Sequence, residues 1–289
     1  MGIRSWWYSR KYRNIPVEEN WQIIEDKVEI ILKLEEILDK RAIKTLIGIL
    51  DEAEGGVNKT AADALLKAIV DDKTREFTIE SIMNVLKKSG DFDVRTESIA
   101  YLIRRMVGKG VYIPNTLSYL NYFLESMWHD TQKEAVHALK EASKNGVDIS
   151  ETAPGLIGII LTAEEDSRKR EINETLENAL ENEESRMKVV RSIVGYVGSD
   201  VLGRKALDVL IKLVVIKGHI QVGEIREMMV EQVKKEKDVK KKIEMRKTMT
   251  LAYKEMISRI GRMKKGGKVK TVKIPERRRD VFRVRSMRG

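Results

Sequence analysis

Basic side chains near the end of the chain are of the type, and close enough together, to bind phosphate groups. The candidates are Arg262, Lys264, Lys265, Lys268, Lys270, Lys273, Arg277, Arg278, Arg279, Arg283, Arg285 and Arg288, preceded by Lys240, Lys241 and Lys242. After residue 261, only Glu276 and Asp280 oppose them. A cation that pairs with a phosphate releases a condensed counterion, which gives an affinity that depends on salt and tolerates any base sequence.

The same segment contains apolar residues, among them Val272 and Phe282, so we expect it to dock in a groove when it binds. Two other interpretations stay open. The segment is a tail that only improves solubility, or it is drawn to an anionic membrane surface. The membrane ranks below nucleic acid because residues 262–289 do not form a sustained amphipathic helix.

The formal charge is unevenly distributed. Residues 1–14 carry +4, and residues 234–289 carry +16, from 22 basic and 6 acidic side chains. Since the whole chain has a net charge of +10, residues 15–233 carry −10. An acidic body with a basic segment at each end is typical of a protein with interaction tails.

Aromatic residues lie among the cations of the N-terminal segment. Trp6, Trp7, Tyr8 and Tyr12 are interleaved with basic residues, a pattern suited to stacking on bases and pairing with phosphates. The alternative, which we favour here, is that Trp6 and Trp7 cover the open apolar end of the first structural repeat.

No catalytic, metal or cofactor site emerges. The sequence lacks a phosphate-binding glycine loop, a dinucleotide-binding glycine motif and a nucleophile-elbow motif. It has no cysteine, and His129 and His137 have no partner in the H-E-x-x-H arrangement. We therefore expect a protein without enzymatic activity, metal or cofactor.

A repeat underlies residues 57–247. It opens at Val57, Asp93, Asp130, Ser167, Val201 and Asp238, at intervals of 36, 37, 37, 34 and 37 residues. Small or apolar residues recur five, six or nine positions after an opening: Ala62, Leu66, Ser98, Ile99, Leu102, Ala135, Val136, Leu139, Ile172, Leu176, Ala206, Leu207 and Leu210. In the last copy only Ile243 fits. Such a period indicates a repeat architecture.

Each repeat has room for two helices. Apolar residues recur at helical spacing, and glycines stand where helices should end, at Gly90, Gly108, Gly146, Gly198 and Gly218. A helix pair of about 40 residues whose second helix opens with Asp93-Val94-Arg95 resembles a HEAT or armadillo repeat. The resemblance implies an all-α solenoid of stacked antiparallel helix pairs, which is a binding platform and does not name a reaction.

Some HEAT-like proteins are DNA glycosylases that use Trp, Asp and Arg on a concave face. The nearest candidates here are Trp128, Asp130 and Arg104, and nothing in the sequence places them in one groove. The glycosylase is therefore the weakest of three functional hypotheses.

Individual helices follow from the same pattern. Residues 16–40 are predicted to form one long helix, and regular helix is expected to stop after Gly261. The aromatic residues Tyr119, Tyr122, Phe123 and Trp128 have helical spacing, which favours core packing over a ligand groove.

The sequence thus predicts three parts: a basic aromatic segment (1–14), a HEAT-like α-solenoid (15–260) and a basic, largely irregular tail (261–289). The first functional hypothesis is an adaptor whose basic ends bind nucleic acid or a ribonucleoprotein while the acidic repeats hold a protein. The alternative is a pure protein–protein scaffold. The absence of a long apolar run predicts a soluble, cytoplasmic protein without a membrane partner. The charged fraction of 35% suggests a thermophile.

Overall fold

The computed structural model describes residues 3–15, 21–50, 55–86, 94–113, 115–126, 128–199 and 202–265. Fourteen helices and no strand occur in these residues. No described helix combines the length and apolar character needed to cross a membrane. The contacts divide the chain into two compact units, Met1–Asn145 and Gly146–Gly289, within the stretch predicted as one solenoid.

The first unit consists of helices packed in two layers. Its helices are α1 (Ile3–Arg13), α2 (Trp21–Ile37), α3 (Lys40–Ile49), α4 (Gly55–Val70), α5 (Arg75–Leu86), α6 (Val94–Gly108), α7 (Thr116–Leu124) and α8 (His129–Lys144). Helices α2, α4, α6 and α8 pack on one another in sequence, and so do α1, α3 and α5. Since α1 also packs on α2, α3 on α4 and α7 on α8, the layers are joined by sequential helix pairs.

The second unit repeats this arrangement. After a 3₁₀ turn (Ser150–Thr152) come α9 (Ala153–Thr162), α10 (Asp166–Glu181), α11 (Glu183–Val197), α12 (Gly203–Val209), a π-helical continuation of α12 (Leu210–Val215), α13 (Val222–Lys235) and α14 (Val239–Lys265). Helices α9, α11 and α13 stack in one layer. Helix α10 packs on the π-helical segment and α12 packs on α14 in the other layer.

The predicted repeat openings Val57, Asp130, Ser167 and Asp238 lie at the beginnings of α4, α8, α10 and α14, which are the second helices of their pairs. The openings Asp93 and Val201 lie outside the described residues, and α6 and α12 begin at Val94 and Gly203. Every repeat position matched in the first five copies is at most 7% exposed. In the last copy, Ile243 is 52% exposed. The helix-pair architecture is thus confirmed, and the recurring apolar residues are its core.

Two predicted helix boundaries were wrong. The helix expected over residues 16–40 is α2, which ends at Ile37, because Leu38 takes a left-handed conformation with φ of 43°. Asp39 then starts α3 by accepting hydrogen bonds from the backbone N–H groups of Arg41 (3.0 Å) and Ala42 (2.8 Å). At the other end, Gly261 does not stop α14, which continues to Lys265.

The glycine signals were partly right. Gly146 and Gly218 have φ of 78° and 76°, the left-handed conformation that favours glycine after a helix. After α6 this role belongs to Gly110 rather than Gly108, and Gly198 ends α11 with φ of −74°. Gly90 lies outside the described residues.

Helix α1 attaches to the first unit by a small polar face. Ser5 Oγ donates to Asp39 Oδ2 (2.5 Å), Thr45 Oγ1 donates to Ser9 Oγ (2.7 Å), and Tyr12 is 6% exposed. Trp6 and Trp7 are 41% and 50% exposed. The interpretation in which the two tryptophans cover the apolar end was therefore wrong, because serine hydroxyls and Tyr12 occupy that position.

The core prediction for the central aromatic cluster holds only for Phe123, which is fully buried. Tyr122 is 37% exposed, and Trp128 is 54% exposed where it precedes α8. Helical spacing identified an apolar face, but α7 has nine residues and buries only a narrow part of its surface. Tyr119 is half-buried, and Tyr122 meets Phe123 with ring centres 5.8 Å apart although it is partly exposed.

Candidate nucleic-acid interface

Helix α14 combines a basic sequence with a narrow apolar face. Asp238 precedes it and accepts a hydrogen bond from the Lys241 N–H (2.9 Å), which satisfies one of the free donors of the first turn. Met249, Met256 and Ile260 are buried at spacings of seven and four residues, against α11, α12 and α13. The apolar face fixes which side of α14 remains in solvent.

Two further contacts orient α14. Arg259 pairs with Asp208 of α12 and with Glu255 (2.5 Å), and the hydrogen bond to Asp208 is the main reason that the pKa of Arg259 is raised. A Cβ at Gly198 would lie 3.1 Å from Met249 Cε, so the end of α11 leaves room for this methionine. The rotation of α14 is therefore set by packing and by an ion pair.

The solvent side of α14 presents a row of cations, which we call the α14 stripe: Lys240, Lys247, Lys254, Arg262 and Lys265. All five side chains are exposed. At 3.6 residues per turn they lie within a sector of about 80°, and at 1.5 Å per residue they span about 38 Å. Glu244, Leu251 and Ser258 are exposed in the same sector.

Among the residues that the structure describes, no carboxylate lies within 4.0 Å of a stripe cation. Many other cations of the second unit do have such a partner. Elsewhere, Lys188 contacts Asp148 at 3.1 Å, Lys217 contacts Glu177 at 2.7 Å, and Arg259 contacts Asp208. The α14 stripe is therefore a row of cations without close carboxylate partners, interrupted by Glu244, Leu251 and Ser258.

The two layers of helix pairs, with a recurring signature at the second helix of each pair, decide the architecture. The fold is HEAT-like. No protein-family model matches the sequence, and no curated protein matches it.

Two solved structures are reported as similar to this chain. An archaeal HEAT-like repeats protein from Thermococcus onnurineus NA1 is 18% identical to this chain, with a TM-score of 0.38. The match covers 89% of this chain and 99% of the archaeal chain. An engineered protein is 16% identical to this chain, with a TM-score of 0.30, and the match covers 86% of this chain and 97% of the engineered one. Both TM-scores are low, so the assignment of the HEAT-like fold stands on the helix pairs of this chain.

The structure brings three of the predicted phosphate-binding residues together, namely Lys240, Arg262 and Lys265. Lys241 is exposed but lies about 100° from Lys240 around the helix. Lys242 Nζ donates to the carbonyls of Lys234 (3.2 Å) and Glu236 (2.9 Å), so it caps the end of α13 instead. Lys264 belongs to α14, but its side chain is not among the parts of the chain that the structure describes.

The remaining predicted phosphate-binding residues lie outside the described residues: Lys268, Lys270, Lys273, Arg277, Arg278, Arg279, Arg283, Arg285 and Arg288. Sequence reasoning missed Lys247 and Lys254, which complete the stripe. The signal that would have found them is the seven-residue interval from Lys240 to Lys247 to Lys254, which returns to the same side of a helix.

The glycosylase candidates are not joined by any contact among the described residues. Arg104 Nη1 pairs with Glu134 (3.0 Å) and contacts His137 Nδ1 (3.0 Å) on α8. Asp130 lies 4.0 Å from His129 and is 71% exposed. In this part of the chain no group of three or more histidine and acidic side chains is arranged to hold a metal ion. Arg104 and Asp130 thus have different partners in the described residues.

Proposed function

We propose that the chain is a non-enzymatic adaptor. The α14 stripe and the basic segment that follows it bind the phosphate backbone of nucleic acid, free or in a ribonucleoprotein, while the HEAT-like units hold a protein. The observation that supports this proposal is the alignment of five exposed cations on one side of α14, none of which has a carboxylate within 4.0 Å among the described residues.

The dimensions of the stripe suit a phosphate backbone. Its length of about 38 Å compares with about 34–36 Å for one turn of B-form DNA. Its cations are four lysines and one arginine, each of which can pair with a phosphate, so most of the affinity is expected to be independent of base sequence. Positions 266–289 add further cations beyond the helix.

The decisive comparison removes the same charge at two places in the second unit. Lys240, Lys247 and Lys254 are replaced by glutamine in one variant. The control variant replaces Arg170, Arg204 and Lys212, which are exposed on α10 and on α12 and its π-helical continuation. Fluorescence anisotropy then measures the affinity for duplex DNA and duplex RNA at several salt concentrations.

We expect the stripe variant to bind more weakly to every sequence. The slope of log affinity against log salt should decrease by about two to three if each lysine neutralises one phosphate. The slope for the control variant should differ from the slope for the wild type by less than about one, which corresponds to one phosphate contact. Equal slopes for the two variants would show that only net charge matters and would remove the stripe from the interface.

A protein scaffold is the second candidate, and Leu251 is the observation that favours it. This side chain is 65% exposed in the middle of the stripe, where an apolar contact suits an acidic protein surface better than a phosphate backbone. Replacing Leu251 by serine should leave nucleic-acid affinity unchanged if the first proposal holds. Loss of binding to an acidic polypeptide, with no binding to DNA or RNA by the wild type, would support the scaffold instead.

A further inference from the structure

The outer face of α1 carries both of the exposed tryptophans of the N-terminal helix together with its cations. Helix α1 packs on α2 and α3 with the side that carries Ser5, Ser9 and Tyr12, so the opposite side points to solvent. Arg4, Trp6, Trp7, Arg10, Lys11 and Arg13 are all exposed there. Residues 1–14 contain no acidic residue, which leaves these four cations without a carboxylate from their own segment.

The rings and cations of this face are already stacked. The Arg10 guanidinium carbon lies 5.2 Å from the centre of the Trp6 ring, and Lys11 Nζ lies 5.6 Å from that of Trp7. The edge of Trp7 meets Tyr8 with ring centres 4.8 Å apart. Cation–π contacts hold side chains in place, which reduces the entropy lost when a ligand binds.

We infer that the outer face of α1 binds single-stranded nucleic acid by stacking unpaired bases on Trp6 and Trp7. Aromatic rings next to cations are what sequence-tolerant single-strand binding requires, since every base has a π-face and every nucleotide has a phosphate. A duplex keeps its bases stacked on one another, so it can use the cations of α1 but not the rings.

The distribution of side chains distinguishes this ligand from a bilayer. A helix that lies in a membrane interface separates its apolar side from its cationic side. In α1 the tryptophans and the cations share one side, and the other side is occupied by contacts with α2 and α3. The charge and the rings therefore match one ligand that offers phosphates and exposed bases together.

This site adds a preference for unpaired bases to the proposed function, but it lies on a different helix in a different unit from the α14 stripe. The two can consequently fail separately. The α14 stripe variant tests backbone binding to duplexes, whereas changes at Trp6 and Trp7 test only the preference for single strands.

The test uses the full chain and an oligo(dT) of about twelve nucleotides, within the range that one single-strand site covers. Trp6 and Trp7 are replaced by alanine in one variant and by phenylalanine in another. Trp128→Ala is the matched control, since Trp128 is 54% exposed but lies beyond α7. The matching duplex is titrated under the same conditions.

We expect the double alanine variant to lose about ten-fold in oligo(dT) affinity for each ring that stacks on a base. Its affinity for the duplex should change by less than about two-fold, and the phenylalanine variant should retain most of the single-strand affinity because it keeps two aromatic faces. Trp128→Ala should behave as the wild type does with both probes. Circular dichroism should give the same helix content for all variants, because neither ring is buried.

Fluorescence gives an independent readout. The chain has four tryptophans, so replacing Trp21 and Trp128 by phenylalanine leaves emission from Trp6 and Trp7 alone. Oligo(dT) should quench it, and phosphatidylserine vesicles should leave its intensity and its emission maximum unchanged. Unchanged oligo(dT) affinity after removal of both rings, an equal loss on the duplex, or a blue shift with vesicles without quenching by oligo(dT) would each overturn the inference.

Discussion

Lys240 and Lys242 are two residues apart in a basic run, yet their side chains do different things. Lys240 is exposed on the stripe, whereas Lys242 closes the end of α13. Arginines act in the same way elsewhere. Arg75 donates to the carbonyls of Ile69 and Val70 at the end of α4, and Arg186 donates to those of Leu180 and Glu181 at the end of α10. In this chain, basic residues close helices as well as form the candidate interface.

Asp148 has a pKa below the ordinary value of an aspartate. Burial alone would raise the pKa, but hydrogen bonds from Ser150, from the Ser185 hydroxyl (2.6 Å) and from Lys188 outweigh it and hold the pKa well below 3.8. A carboxyl group with a depressed pKa in the folded state stabilises the fold above its ordinary pKa, and this stabilisation is lost as the pH falls.

Asp148→Asn should therefore lower the free energy of unfolding near neutral pH by about 1–2 kcal/mol, because charged hydrogen bonds become neutral ones. The difference from the wild type should shrink as the pH falls below about 5. Urea denaturation at a series of pH values measures both quantities. Glu227→Gln, which removes an exposed carboxylate of α13, is the control, and a pH-independent difference for Asp148→Asn would contradict the assignment.

Leu38 holds a left-handed conformation that costs a leucine about 1 kcal/mol or more. Leu38→Gly should be as stable as the wild type or more stable by up to about 1 kcal/mol, although it loses a half-buried side chain. Leu38→Val should be less stable than both, because a β-branched residue tolerates positive φ poorly. Chemical denaturation of the three proteins gives the order, and a valine variant more stable than the glycine variant would refute this explanation.

At the scale of elements, close approach between helices limits which glycines can change. A Cβ at Gly203, the first residue of α12, would lie 2.6 Å from the carbonyl oxygen of Val197 at the end of α11. Gly48 in α3 has no heavy atom within 4 Å of such a Cβ. The two positions are both helical but differ in the space around them.

Gly203→Ala should be destabilising by about 1–3 kcal/mol, since backbone atoms must move to relieve the contact. Gly48→Ala should be stabilising by about 0.5–1 kcal/mol, because alanine is the better helix former. Thermal unfolding followed by circular dichroism compares the two. The explanation is refuted if Gly203→Ala melts at or above the temperature of the wild type.

The same scale shows what the sequence can predict. Spacing placed the starts of six helices and the buried residues of five repeats, because each apolar face is covered by a neighbouring helix. It misplaced Ile243, which has the repeat spacing but is 52% exposed. It also missed the end of α2, because a leucine takes the place where glycine is expected. For the candidate site, runs of basic residues in the sequence identified three of the five stripe cations. Lys247 and Lys254 were recognised only from the side of α14 on which they lie.

For the molecule as a whole, the division into two units separates the charge. Residues 1–145 contain 22 basic and 23 acidic side chains, and residues 146–289 contain 33 and 22. The first unit is thus nearly neutral, and the second has a net charge of +11. Long-range attraction of an anionic partner is consequently expected to act on the second unit.

A fragment of residues 1–145 should fold by itself, because α2, α4, α6 and α8 form a core with one another. It should be helical by circular dichroism and melt in one cooperative transition. A shorter fragment ending at residue 126 lacks α8, exposes the buried face of α6 and should not melt cooperatively. A non-cooperative transition for residues 1–145 would mean that the first unit is not an independent domain.

The π-helical segment Leu210–Val215 bears on how the chain could change in length. The Ile216 N–H donates to the carbonyl of Ile211 (3.0 Å), five residues back, so this turn holds one residue more than an α-helical turn. Five of its six side chains are buried, and Lys212 is the exposed exception. Deletion of Lys212 would change the hydrogen bond of this turn from one that reaches five residues back to one that reaches four residues back, as in an ordinary α-helix. The π-helical turn thus already holds one residue more than an α-helical turn. At this turn the chain can lose a residue and remain helical.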